Sequence, residues 1–179
     1  MLQMTNTKSE LYYASYAYYI LAYPFLFKKK AMEITELNEI KVSYQNNTNK
    51  KAITSSNHAF EICKQSFVLS DANISLKEYF FILLLNRANN VIGFYKLSEG
   101  GISSTIADIR IAYSIALKCL ASGMIICHNH PSNNAKPSQA DIDLTKKFKS
   151  AGHILDISLL DSIILTEDSY YSFADEGLL

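Results

Sequence analysis

Apolar and polar positions run along this chain in blocks of different period, and each block predicts an element. Phe80-Phe81-Ile82-Leu83-Leu84-Leu85 is an unbroken apolar run of strand length. Val91 to Leu97 resumes strand character after the turn-rich Asn86-Arg87-Ala88-Asn89-Asn90, so the two runs predict a hairpin with a five-residue loop. Upstream, Thr54-Ser55-Ser56-Asn57 offers N-caps, and Ala59, Ile62, Cys63 and Phe67 follow at helical spacing, which places a helix near 56–68. Beyond Gly100-Gly101, Asp108 caps a stretch whose apolar positions, Ile109, Ala112, Tyr113, Ala116, Leu117 and Leu120, share one helix face, with Gly123 as the expected stop. Met124-Ile125-Ile126-Cys127 reads as a strand, and a helix follows from about 138 to 150, ended by Gly152. Ile154 to Leu165 makes one bent strand or two, and Tyr170-Tyr171-Ser172-Phe173 a last short one. The order α-β-β-α-β-α-β-β predicts an α/β layer protein with helices packed on a mixed sheet.

Residues 1–31 do not share this pattern. Leu11 to Phe27 is an uncharged run of seventeen residues that holds six of the chain's twelve tyrosines. As a helix it would reach about 25 Å, short of a ~30 Å hydrocarbon core. Pro24 interrupts its last turn, and tyrosine favours the membrane interface over the centre. Lys28-Lys29-Lys30 follows the run, the reverse of a cleavable signal peptide. Three readings stay open: translation starting at Met32, a membrane anchor, or a soluble appendage. In each of them the following domain is expected in the cytoplasm, because the positive-inside bias would keep it there even if the run inserts. Residues 32–52, with Asn46-Asn47-Thr48-Asn49, read as a linker or arm, and 53–179 as the folded domain.

Composition narrows the function classes. A hydrophobic content of 49% and a charged content of 19% describe a globular protein, and 179 residues suffice for one domain with an appendage. Net charge is zero, so no global basic field recruits nucleic acid, and the lysine runs read as solvated faces. Cys63, Cys119 and Cys127 form no CxxC pair, which points to free thiols in a reducing compartment.

The chemistry concentrates after the third predicted strand. If that strand continues, His128 and His130, two residues apart, point to one face. Pro131 and Pro137 bound a loop that brings Asp141 in on the first turn of the next helix. Ser138 and Asp141 match the Ser-x-x-Asp capping box, which needs no metal, but a serine one turn before Asp141 can cap the helix and face an ion together. Two imidazoles and one carboxylate leave a fourth position open on a tetrahedral ion, the arrangement of a catalytic zinc site.

His-x-His, seven residues, Ser, two residues and Asp make up the JAMM signature of the JAB/MPN metalloprotease domain. The wider run His-Asn-His-Pro-Ser…Pro-Ser-x-x-Asp resembles the RadC-like bacterial branch. So do Leu84-Leu85-Asn86-Arg87-Ala88-Asn89, Leu160-Asp161 and the ending Tyr170-Tyr171-Ser172-Phe173-Ala174-Asp175-Glu176-Gly177. The resemblance covers about residues 40–179. It implies a three-layer α/β fold of the cytidine-deaminase-like type and one zinc ion per chain, held by His128, His130 and Asp141. It also implies a serine at Ser138 and a catalytic glutamate upstream. Glu78, directly before the first strand, is the candidate, and Glu99, after the hairpin, is the rival. The sequence departs from the family pattern in three ways: Asn133 replaces a glycine, Ser162 replaces a histidine after Leu-Asp, and residues 1–60 show no helix-hairpin-helix module.

The resemblance implies a zinc metallopeptidase or isopeptidase acting on a peptide or protein substrate. A zinc deaminase would need His-x-Glu and a Cys-x-x-Cys, which the chain lacks. An iron oxygenase shares the ligand types but not the full motif. The alternative from another class is a non-catalytic or accessory DNA-repair or mobile-element protein that uses the fold as an interaction module.

Overall fold

The computed structural model describes residues 52–101 and 105–179. The extension at 1–31 and the arm at 32–52, save its last residue, lie outside the described residues. The elements are α1 (Ser56–Leu69), β1 (Tyr79–Leu85), β2 (Val91–Glu99), α2 (Ile109–Lys118), β3 (Gly123–Asn129), α3 (Gln139–Ile154), β4 (Ser158–Leu165) and β5 (Tyr170–Ser172). The strands form one sheet in the order β2-β1-β3-β4-β5. β1 pairs antiparallel with β2 and β3, β3 pairs parallel with β4, and β5 closes antiparallel on β4. The sheet is mixed, as expected.

Helices cover both faces, so β1 and β3 are buried along their whole length, and β1 and the first part of β3, up to Cys127, read as continuous apolar runs. Alternation along these strands sorts the core into two halves. Phe81, Leu83, Leu85, Ile125 and Cys127 pack with Phe60, Cys63 and Phe67 of α1. Phe80, Ile82, Leu84, Met124 and Ile126 pack with Ala112, Tyr113 and Ala116 of α2 and Phe148 of α3. The result is a three-layer α/β/α domain. Cys63, Cys119 and Cys127 are free thiols.

The hairpin loop is as long as its sequence suggests, and Asn89 takes the left-handed turn position at φ 55°. The helix ends differ from expectation. Gly123 does not stop α2 but opens β3, and Gly152 lies inside α3, which runs on to Ile154. Each helix instead closes with a left-handed non-glycine residue: Asp71 (φ 51°), Leu120 (φ 54°) and Asp156 (φ 55°). The bonds Ala72 N to Phe67 O, Ala121 N to Ala116 O and Ile157 N to Gly152 O, at 2.9–3.0 Å, complete three Schellman-type closures. Ile154 to Ile157 therefore belongs to the end of α3, and the rest of that apolar run forms the single strand β4.

Gly152 is needed for a different reason. A Cβ there would sit 2.3 Å from the Ile157 carbonyl oxygen and 2.7 Å from the Tyr113 hydroxyl. That hydroxyl donates to the Phe148 carbonyl at 2.6 Å and ties α2 to α3; burial pushes its pKa up to about 12. The buried Asp161 carboxylate, in β4, accepts from Ser172 Oγ, Ala174 N and Ser162 N at 2.6–3.0 Å. It thereby pins β5 and the C-terminal turn to β4. Among the described residues no helix is long and apolar enough to cross a membrane.

Candidate metal centre

β3 and α3 build the site. His128 is the sixth residue of β3, paired with Phe80 on one side and Ile164 on the other. Its ring is buried at 5% exposure and stacks on Phe80 at 5.7 Å and 6°. His130 lies just beyond the strand, where its N–H bonds to the Leu165 carbonyl at 2.9 Å and extends the β3–β4 pairing. The loop then turns at Asn133, whose backbone is left-handed at φ 58°. An asparagine tolerates this conformation, so the loop is made without the glycine usual in the resembling chains. Its side chain also fastens the loop, accepting from Glu167 N at 3.1 Å and donating to Asp168 Oδ2 at 3.0 Å.

The chain enters α3 through a full capping box. Ser138 Oγ accepts from Asp141 N at 3.2 Å, and Ser138 N donates to Asp141 Oδ2 at 2.7 Å. The Ser138 hydroxyl also donates to Oδ2, at 2.6 Å. Asp141 thus spends one oxygen on the cap and turns the other, Oδ1, to within 3.1 Å of His128 Nε2. Burial pushes its carboxyl up, but the bonds from His128 and Ser138 outweigh burial and hold it well below the usual carboxylate range.

His128 Nε2 and His130 Nε2 lie 3.1 Å apart, and Asp141 Oδ2 is 3.7 Å from the second ring. One donor atom from each of the three residues falls within 4.8 Å of the others, so His128, His130 and Asp141 could hold a metal ion. Hydrogen bonding supports that reading for His130. His130 Nδ1 lies 2.7 Å from the Asn134 carbonyl oxygen, which can only accept. The ring hydrogen is therefore on Nδ1, and Nε2 presents its lone pair to the cluster, as a metal ligand must. His128 Nδ1 is buried without a partner. Two nitrogens and a carboxylate oxygen, with a cleft beside them, fit zinc with an open position.

That cleft has a volume of about 360 Å³, and Glu78, Phe80, Thr105, Ser132, Asn134, Lys136, Ser138 and Leu144 line it together with the three candidate ligands. Glu78 enters from the segment before β1, because β1 and β3 are antiparallel neighbours and the start of one meets the end of the other. Burial pushes its carboxyl up, partly offset by the two histidines. Glu99 lies apart from the cleft: exposed, it bridges Lys77 and Lys96 at 3.0 and 3.1 Å. Ser162 is buried in β4, accepting from Thr145 Oγ1 of α3 at 3.0 Å.

A profile of the RadC-like JAB domain matches residues 53–178. The chain belongs to that family. It is 48% identical over 128 residues to a UPF0758 protein of Flavobacterium johnsoniae, covering 72% of this chain and 54% of that protein. A UPF0758 protein of Porphyromonas gingivalis is 44% identical over 104 residues, 58% of this chain and 46% of its own length. The one from Chlorobaculum parvum is 32% identical over 158 residues, 87% and 68%. The chain spans about half the length of most of the relatives it matches. JAB/MPN domains include metalloproteases, and the RadC-like JAB domain of this chain carries a His128-His130-Asp141 group that could hold a metal ion.

Two features of the centre had no signal in the residue pattern. Asn134 contributes through its backbone carbonyl, which any residue could supply. Asn129 lies between the two histidines in an obvious place, yet its contacts depend on a segment fifty residues earlier.

Proposed function

We propose that this RadC-like JAB domain is a zinc-dependent amide hydrolase, a peptidase or isopeptidase. The observation that carries the reading is the convergence of His128, His130 and Asp141 beside a cleft lined by Glu78 and Ser138. His128 Nε2, His130 Nε2 and Asp141 Oδ1 would hold one zinc ion. Zinc supplies Lewis acidity and lowers the pKa of water from about 15.7 towards 7.

Glu78 accepts the proton of the attacking water and returns it to the leaving amine. The partly buried position of its carboxylate suits it to take up a proton, since burial disfavours the charged form. Ser138 donates to the developing amide oxyanion, a contribution typically worth ~3 kcal/mol. It must turn its hydroxyl away from Asp141 to do so, and its backbone N–H keeps the cap in place meanwhile. Phe80 and Leu144 give the cleft an apolar wall that displaces water from the reacting bond. The expected substrate is a peptide or protein, and the zero net charge argues against nucleic acid as partner.

The test is hydrolysis of a panel of peptide and isopeptide amides by the zinc-loaded protein. Cleavage that stops on chelation and returns with added zinc supports the reading. Cleavage indifferent to chelation would sink it.

A further inference from the structure

We infer that Asn129 is the positioning residue that fixes Glu78 beside the metal ligands. The inference rests on Glu78 being the base, and it assigns a task to the inner residue of His-Asn-His. Strand alternation turns Asn129 away from His128 and His130, to the opposite face of β3. There it is fully buried, and every hydrogen of its amide is used. Oδ1 accepts from Tyr79 N at 2.8 Å, and Nδ2 donates to Ile74 O and Lys77 O, both at 2.7 Å.

Those partners bracket Glu78 in the chain. The β1–β3 ladder runs from Leu85 opposite Gly123 to Phe80 opposite His128 and ends there. At the next position the Asn129 side chain replaces the backbone as partner of Tyr79. The segment before β1 leaves the sheet at this point, and its carbonyls would have no strand partner. The amide takes up two of them. On its other side the Glu78 peptide is held by Gly100 N, at 2.8 Å from Glu78 O, and by Gly101 O, at 3.1 Å from Glu78 N. Asn129 therefore locks the base to the end of β3, between the two histidines.

Few side chains can do this. Aspartate keeps the acceptor for Tyr79 N but faces two carbonyls with no donor, and serine offers one donor on a shorter arm. A base displaced by about 1 Å loses rate on the order of 10²-fold, with substrate binding untouched.

The experiment uses the full chain loaded with cobalt(II) in place of zinc, with glutamate labelled by ¹³C at the carboxyl carbon. The Glu78 resonance is assigned by its loss in Glu78→Gln. In the wild type, cobalt strongly broadens or shifts that resonance. In Asn129→Asp and Asn129→Ser the ion is retained, most of the effect on Glu78 is lost, and on any amide the wild type cleaves kcat falls with KM unchanged. A wild-type resonance that cobalt leaves untouched overturns the assignment of Glu78 itself. A resonance affected equally in wild type and in both ion-loaded variants overturns the positioning role alone. Loss of the ion from both variants also overturns it, because Asn129 would then serve the ligands and not the base.

Discussion

Glu78→Gln in the zinc-loaded protein is expected to lower kcat for amide hydrolysis by about 10³-fold while the ion stays bound. Glutamine keeps the size and hydrogen-bonding reach of the side chain but cannot take up a proton. Glu78 is not among the three residues that could hold the ion, so removing its charge leaves that group whole. Its backbone bonds to Gly100 and Gly101 do not involve the carboxyl, so the fold should hold as well. The same substitution at Glu99 is the control. That carboxylate is exposed and pairs with Lys77 and Lys96, so its removal should change the rate less than threefold, since surface pairs of this kind are worth about 0–1 kcal/mol. Steady-state kinetics with metal analysis on both variants checks the pair. Undiminished turnover in Glu78→Gln would move the base elsewhere.

The second large effect is on stability. Gly152→Ala is expected to destabilise the domain by about 2 kcal/mol, because overpacking against fixed atoms costs 1–3 kcal/mol or more. Helix propensity alone predicts the opposite sign, since alanine in a helix interior is favoured over glycine by about 1 kcal/mol. The geometry decides which wins. The new methyl would meet the Ile157 carbonyl at 2.3 Å, and that carbonyl belongs to the closure of α3, where Ile157 N bonds to Gly152 O. The Tyr113 hydroxyl, at 2.7 Å, is itself held by Phe148 O. The hydroxyl cannot retreat without straining its bond to Phe148 O, and Ile157 cannot shift as a whole without straining its N–H bond to Gly152 O. Thermal unfolding should show a Tm lower by roughly 8 °C. A Tm equal to or above that of the wild type would mean the helix end relaxes freely.

These two residues also mark how far the sequence could be read. The buried strands were legible because β1 is apolar throughout and β3 opens on the apolar run Met124–Cys127, and α2 because its apolar positions fall on one face. The paired histidines came from the two-residue period of a strand, and Asp141 from a capping signature at the start of α3. The helix ends were not legible. Gly152 looks like a stop signal but answers to a contact with Tyr113, thirty-nine positions away. The true stops use Asp71, Leu120 and Asp156 in the left-handed conformation, which no propensity favours for leucine. The choice between Glu78 and Glu99 likewise turns on strand pairing. Both flank the hairpin, and the cleft takes Glu78 because the start of β1 meets the end of β3. The division of labour within Asp141, one oxygen for the cap and one towards His128, is a matter of tertiary geometry alone.

Everything proposed for the cleft depends on the three converging ligands, and metal content tests them most directly. Elemental analysis of the dialysed full-length protein should find one zinc ion per chain in the wild type and none in His128→Ala. That variant removes the buried ring stacked on Phe80 and one of the three donors. A wild type without zinc, or a His128→Ala that keeps a full equivalent, would contradict the assignment.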